Sequence, residues 1–136
     1  MKSSRRWIWR KGLGYQIFKD SGCTSCHFGV NLGGTHYEKM GKHADYFEGR
    51  DLTDADQGRF NVTKDEKDRF RFKVPTLRNI AQTAPYFHDG ITQDLSEAVR
   101  IMSEKQLREP LTDAEIRQVA QFLRAQTGEY QGKSLE

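Results

Sequence analysis

The stretch Cys23-Thr24-Ser25-Cys26-His27 decides what this chain can be. Two thiols at this spacing can each form a thioether with a vinyl group on one edge of a porphyrin. The histidine that follows is then placed under the ring, where its imidazole can bind iron as an axial ligand. The pattern predicts one covalently attached haem c, held by Cys23 and Cys26, with His27 as the proximal ligand.

A bare C-x-x-C pair has other meanings, and they are less consistent with this sequence. Cys23 and Cys26 are the only cysteines in the chain. A zinc site normally needs a second pair of ligands at a similar spacing, and none is evident. A redox dithiol of the thioredoxin kind follows an apolar strand, which this segment lacks. A chance occurrence of the motif remains the alternative to haem.

The composition is polar for a globular domain. A length of 136 residues corresponds to one domain, and 35% of the residues are hydrophobic against 30% charged. A large, mostly apolar haem would supply part of the missing core. We therefore expect the apoprotein to fold poorly, because a ligand that binds only the native state adds its binding free energy to the stability.

The net charge of +3 reflects a basic start to the chain, since residues 1–11 carry several lysines and arginines and no acid. The rest of the chain mixes both signs of charge, so we interpret residues 1–11 as a basic leader or a segment left by cloning and expect no nucleic-acid partner. The sequence contains no apolar run long enough to span a bilayer, so we expect no membrane insertion.

The expected location is the periplasm, because haem is attached to cysteine outside the bacterial cytoplasm. The apolar run Trp7-Ile8-Trp9 is too short for the core of a signal peptide. We therefore expect the export signal to lie outside this sequence.

Three stretches have the periodicity of amphipathic helices. We predict helices over residues 12–21, from 92 to about 102, and from 112 toward Gly128. The last one begins with a capping box, Thr112 with Glu115. An aromatic residue in this last helix, Phe122, is expected to meet Gly14 and Phe18 of the first helix.

Helices that cross in this way, with a haem motif directly after the first, predict an all-α cytochrome c fold over residues 12–128. Residues 28–73 are polar and rich in glycine, without a sustained period. We predict a long loop there, with one or two short helical turns, wrapped around the haem. The last segment, residues 129–136, is predicted to be a disordered tail.

The sixth iron ligand decides the chemistry. A methionine in the sixth coordination position gives the haem a higher reduction potential, and a second histidine there gives it a lower one. An unoccupied sixth position favours peroxide or dioxygen chemistry. From spacing alone, Met102 is as well explained as a core methionine, because Leu95 and Val99 share its helix face. The candidates that the sequence offers are Met40, Met102, His36, His43 and His88.

At this point the chain resembles a known family, the bacterial dihaem cytochrome c peroxidases with their methylamine-utilisation relatives, and specifically the C-terminal haem domain. The resemblance covers most of residues 12–128. It rests on GCTSCHFGVNLGG (22–34), FKVPTLRN (72–79), TAPYFHDG (83–90), AVRIM (98–102) and the final helix from Leu111 to Gly128.

The resemblance implies a high-potential, electron-transferring haem with histidine and methionine ligands, and it places Met102 at the axial methionine. It implies that His88 forms hydrogen bonds in the haem pocket. Backbone carbonyls of Thr83 and Pro85 correspond to the family's calcium ligands, for which carbonyl oxygen is suitable. Arg78 lies in a matching stretch, and its guanidinium can pair with a haem propionate.

The family's other haem domain, which carries the peroxidatic chemistry, has no counterpart in this sequence, since it contains one C-x-x-C-H motif. The resemblance therefore implies an electron carrier. Its expected partners are a small cytochrome c or copper protein, together with a second haem domain or a second copy of the chain. The alternative is a peroxidase in its own right, with a labile or open sixth position. No carboxylate is marked by the sequence as its acid–base group.

Overall fold

Three of the helices are long enough to form the frame of the domain. The computed structural model describes residues 12–136, so the predicted leader over residues 1–11 lies outside the described part. Helix α1 covers residues 12–20, the single turn α2 is Phe60–Thr63, α3 is Leu95–Gln106, and α4 is Asp113–Arg124. Within the described residues, no helix is both long and apolar enough to cross a membrane.

Helix α1 crosses α4 at the predicted aromatic contact. The ring centroids of Phe18 and Phe122 lie 5.3 Å apart, and those of Tyr15 and Phe122 lie 5.2 Å apart. A Cβ on Gly14 would overlap the backbone carbonyl of Gln118, so the absence of a side chain allows the two helices to approach closely. The predicted crossing is therefore confirmed.

Helix α4 begins as its sequence predicts. The Thr112 hydroxyl accepts a hydrogen bond from the Glu115 amide at 3.3 Å, and the Glu115 carboxylate accepts one from the Thr112 amide at 2.8 Å. This reciprocal pair satisfies two backbone donors that the first turn leaves free. The helix then buries its apolar face against the rest of the core.

Helix α3 begins later and ends later than the predicted range 92–102. The Asp94 side chain caps it by accepting the Glu97 amide at 2.9 Å, whereas Thr92 lies outside, pairing with Tyr86. The C-terminal end extends to Gln106 because a loop supplies hydrogen bonds there, as described below. Position 102 therefore lies inside the helix, one turn before its end.

The core is built by α1, α3, α4 and the segment between Leu77 and Tyr86. This arrangement is the predicted all-α cytochrome c fold. Its buried apolar residues form one cluster, made of Phe18, Leu77, Tyr86, Leu95, Ala98, Val99, Ile116, Val119, Ala120, Phe122 and Leu123.

The segment predicted as a long loop, residues 28–73, contains regular structure that the sequence did not indicate. Strand β1, Tyr37–Lys39, pairs antiparallel with β2, Arg71–Lys73, with Glu38 opposite Phe72. We call this pair the ribbon. Three residues are too few to show a strand period, and the partner strand is distant in sequence, so pattern reasoning could not find it.

The end of the chain also differs from the prediction. Strands β3, Glu129–Tyr130, and β4, Lys133–Ser134, form a small hairpin where a disordered tail was predicted. The turn residues Gln131 and Gly132 both have positive φ, 50° and 74°. This is the backbone geometry of a two-residue hairpin turn, and a glycine at the second position favours it.

Candidate haem site

The haem motif forms a tight turn directly after α1. Gly22 has φ 97°, a left-handed conformation that glycine adopts without strain. Residues Cys23–Ser25 then form a single 3-10 turn, and the His27 amide donates to the Cys23 carbonyl at 2.9 Å. Both cysteines are half-buried and form no disulfide. The turn therefore presents two thiols and an imidazole from one short segment.

The imidazole of His27 is held in the neutral form that binds a metal. It is buried, and its Nδ1 lies 3.2 Å from the Leu32 carbonyl oxygen. Because a carbonyl can only accept, Nδ1 carries the proton and the lone pair is on Nε2. Burial lowers the pKa of His27, although the Leu32 and Pro75 carbonyls oppose this. The neutral ring that binds iron is therefore the favoured form.

The loop that follows the haem motif is held in place by contacts with the segment around Pro75. The Thr76 hydroxyl donates to the Asn31 carbonyl at 2.6 Å, and the Gly34 amide donates to the Val74 carbonyl at 2.7 Å. A Cβ on Gly33, which has φ 138°, would overlap the Pro75 carbonyl. These contacts fix the Leu32 carbonyl and, through it, the orientation of the imidazole.

The guanidinium of Arg78 connects the same loop to the end of the last helix, α4. Its Nε donates to the Val30 carbonyl at 2.8 Å, and one terminal nitrogen donates to the Gln126 side chain at 2.7 Å. The structure therefore gives Arg78 two protein partners that connect the haem-motif loop to the end of α4. Its pairing with a propionate stays a prediction.

Met102 lies on the face of α3 that it was predicted to share with Leu95 and Val99. Those two side chains are buried in the main cluster, whereas Met102 is half-buried and is not among the described residues that pack against that cluster. A thioether on the inner face of a helix but outside the packed core is available to another group. Its ligation of iron stays a prediction.

The other candidate ligands lie near the ribbon. Met40 directly follows β1, with its amide bonded to the Phe70 carbonyl at 2.8 Å. His36 stacks on Phe28, with centroids 5.6 Å apart, and His43 is exposed. Met40 and His43 therefore lie on the loop that is bonded to the end of α3, whereas His36 precedes β1.

His88 is held by a carboxylate that sequence reasoning missed. Its Nε2 lies 2.7 Å from Asp56 Oδ1, and its ring stacks on Phe72 with centroids 4.3 Å apart. Asp56 also accepts bonds from the amide and hydroxyl of Thr53, and these donors together with His88 lower its pKa to about 2. The ionised carboxylate accepts, so Nε2 of His88 is the donor.

A second polar cluster lies beside this pair. The Tyr46 hydroxyl is 3.0 Å from both carboxylate oxygens of Asp89, and Arg50 donates to Asp89 at 2.8 Å. Burial and the Asp89 carboxylate raise the pKa of Tyr46 to about 12. The cluster ties the middle of the long loop to the residue after His88. No sequence pattern indicated it.

The two calcium candidates lie on an exposed turn. Thr83 and Pro85 are both exposed, and the Thr83 hydroxyl donates to the Ile80 carbonyl at 3.1 Å. Among the described residues, nothing donates a hydrogen bond to the backbone carbonyl of either one. Calcium binding by these two carbonyls stays a prediction.

The ribbon brings one carboxylate to the attachment residues. Glu38 Oε2 lies 3.8 Å from Cys26 Sγ. Burial raises the pKa of Glu38, but the Lys39 amide and the charges of Lys42 and Arg71 outweigh that effect and leave it lowered. The sequence did not distinguish this acid from the others in the loop.

These residues fit a covalent haem: two unpaired thiols, a neutral buried imidazole, and a thioether outside the packed core. The fold and the site thus define a c-type cytochrome domain. The sequence profile of the family described as "Cytochrome c" matches residues 12–127. The chain belongs to the cytochrome c family, and it binds a covalent haem c.

The most similar relatives include bacterial cytochrome c peroxidases. Cytochrome c peroxidase Ccp of Escherichia coli is 45% identical over 117 residues, which are 86% of this chain and 25% of the relative. Cytochrome c551 peroxidase of Nitrosomonas europaea is 44% identical over 116 residues, 85% of this chain and 34% of the relative. The relationship to the bacterial cytochrome c peroxidases is thereby confirmed, and the chain spans a quarter to a third of their length.

The fold recurs in a solved structure. A crystal structure of a MauG-like protein associated with microbial copper homeostasis superimposes with a TM-score of 0.74 at 24% identity, covering 88% of this chain and 47% of that one. At this identity the likeness supports the fold alone.

Proposed function

We propose that this chain carries single electrons through a haem ligated by His27 and Met102, as the electron-transfer domain of a peroxidase-like system that reduces hydrogen peroxide. The observation that carries the proposal is the pairing of a neutral, fixed imidazole with a methionine that faces inward but stays outside the core. A haem iron held by His27 and Met102 would supply one-electron chemistry without exchange of either ligand, so little rearrangement would oppose electron transfer.

The roles of the chain's own residues follow from their contacts. Leu32 holds the proton of His27 on Nδ1 and so keeps Nε2 directed at the iron. The Asp56–His88 hydrogen bond and the stacking of His88 on Phe72 fix these three side chains relative to one another and to the ribbon. Glu38 provides a fixed negative charge beside Cys26.

We propose a small cytochrome c or a copper protein as the electron donor, and a haem domain or a second copy of this chain as the acceptor. The support is the length of the relatives, of which this domain forms a quarter to a third. Lys39, Lys42 and Arg59 are exposed candidates to steer an encounter, but Lys42 lies 3.7 Å from Glu38 and Arg59 lies 3.5 Å from Asp68, so an ordinary solvated face explains them as well.

We propose a periplasmic location, supported by the covalent haem, which is attached outside the cytoplasm. We also propose that Thr83 and Pro85 offer carbonyl oxygens to calcium, supported by their exposure and their lack of described donors. Calorimetric titration of the purified holoprotein with calcium tests the proposed calcium site.

The alternative function is peroxide reduction by this chain alone. The observation that favours it is the position of Glu38, whose carboxylate lies 3.8 Å from Cys26 Sγ, although its lowered pKa makes it a poorer proton donor at neutral pH. A peroxidase needs a nearby acid–base group together with an open sixth position. Ligation of the iron by the Met102 sulfur would fill the sixth position and exclude this alternative function.

Absorption spectra of the ferric and ferrous holoprotein distinguish the two functions. We expect the weak near-infrared charge-transfer band of methionine–iron ligation in the ferric state, and we expect Met102→His to abolish it. Met40→Leu is the matched control and should keep the band. A high-spin ferric spectrum in the wild type would instead favour the peroxidase, and peroxide turnover by this chain would then be measured.

A further inference from the structure

We propose that Gln106 is a positioning residue that holds Met102 on the iron and keeps the rival ligands Met40 and His43 away from it. The inference rests on the proposed ligation by Met102. The sixth ligand would then be selected by a contact between the end of α3 and the loop over residues 39–44.

The side-chain amide of Gln106 forms three hydrogen bonds with the backbone of that loop. Its Oε1 accepts the amides of Gly41 at 2.5 Å and Lys42 at 3.0 Å, and its Nε2 donates to the Lys39 carbonyl at 2.8 Å. We call these three hydrogen bonds the Gln106 clip. They join residues more than sixty positions apart in sequence, so they fix the loop relative to the helix.

The helix backbone adds to the clip. The carbonyl of Lys105 accepts the amides of His43 at 2.9 Å and Ala44 at 3.2 Å. Carbonyls in the last turn of a helix have no partner within the helix, so the loop takes over a bond that water would otherwise supply. The end of α3 is therefore attached to the loop by both side-chain and backbone contacts.

The clip acts on Met102 through helix geometry. Residues four apart lie on the same helix face, so Met102 stands one turn before Gln106 on the side that meets the loop. Fixing the last turn of α3 limits rotation and fraying of the helix, both of which would withdraw the sulfur. A residue that acts this way affects the strength of the iron–sulfur bond without touching the iron.

The same clip restrains the competitors. Met40 and His43 lie within or beside the clipped residues, with their amides tied to the Phe70 and Lys105 carbonyls. Release of the loop would free the imidazole of His43 and the thioether of Met40 to move. Loss of the clip should therefore weaken the iron–sulfur bond of Met102 and open its position to an added ligand such as imidazole.

Gln106→Leu tests the proposal, because leucine keeps similar bulk and helix propensity but forms no hydrogen bonds. In the ferric holoprotein we expect the methionine charge-transfer band to weaken or vanish, and the affinity for added imidazole to rise at least about tenfold, as expected for the loss of one or two net hydrogen bonds. Gln106→Glu keeps the acceptor and should show a smaller rise, about threefold. Gln16→Ala, at an amide that contacts Asp20 of its own helix, should match the wild type.

Each outcome has one meaning. If the wild type lacks the band, the proposed function has failed and the role of Gln106 fails with it. If the wild type has the band and Gln106→Leu keeps both the band and the imidazole affinity, the Gln106 proposal alone is overturned. Should Gln106→Leu not attach haem, Gln106→Glu is decisive: a raised imidazole affinity supports the proposal, and a wild-type affinity overturns it.

Discussion

Asp56 shows how a single side chain can be held ionised by its surroundings. It accepts hydrogen bonds from the Thr53 amide, the Thr53 hydroxyl and His88, and these lower its pKa from the ordinary 3.8 to about 2. A carboxylate whose pKa falls on folding stabilises the native state above its ordinary pKa. That contribution is lost as the pH falls toward 2.

We expect Asp56→Asn to lower the free energy of unfolding of the holoprotein by about 2 kcal/mol at pH 7, the usual scale for a hydrogen bond to a charged group. The difference between variant and wild type should shrink as the pH is lowered from about 4 toward 2, because the Asp56 carboxyl of the unfolded chain binds a proton in this range while that of the native protein stays ionised. Urea unfolding at several pH values measures both effects. Asp54→Asn, in the same turn but exposed, should behave like the wild type.

At the scale of elements, the close crossing of α1 and α4 depends on Gly14. A Cβ at this position would overlap the Gln118 carbonyl oxygen and contact the Cβ of Phe122. Backbone atoms cannot move aside without shifting the whole helix. The crossing in turn fixes the haem motif, because the motif begins directly after α1.

We expect Gly14→Ala to destabilise the holoprotein by about 1–3 kcal/mol, the range for overpacking a tight contact. Gly12→Ala, in the same helix with open space around its Cβ position, is the matched control and should stay within about 1 kcal/mol of the wild type. Urea unfolding followed by circular dichroism compares them. Equal stabilities for the two variants would mean that the helices can separate at little cost.

The sequence predicted those elements whose signal is local. The helical period and the capping box located α1 and α4, and the haem motif located His27. The ribbon was missed because three-residue strands carry no period. The polar contacts were missed because each joins distant segments: Asp56 to His88, and Gln106 to Gly41. No local pattern reports which loop residue will meet which helix end.

At the scale of the whole molecule, the haem completes a core that the chain alone leaves small. With 35% hydrophobic residues, the main cluster draws on three helices and one connecting segment. The haem-binding turn is itself partly buried, and burial raises the pKa of the Cys23 thiol. Without haem, these thiols and the His27 imidazole would be shielded from water with no metal or porphyrin to compensate.

We therefore expect a Cys23→Ala/Cys26→Ala variant, which cannot form thioethers, to lose helical circular dichroism and to unfold without a cooperative transition. The reason is that a covalent ligand bound to the native state contributes its binding free energy to stability. Thermal unfolding followed by circular dichroism is the measurement, with Ser25→Ala as the control in the same turn. A variant that melts cooperatively at the wild-type temperature would show that the polypeptide core suffices and that the haem serves redox chemistry alone.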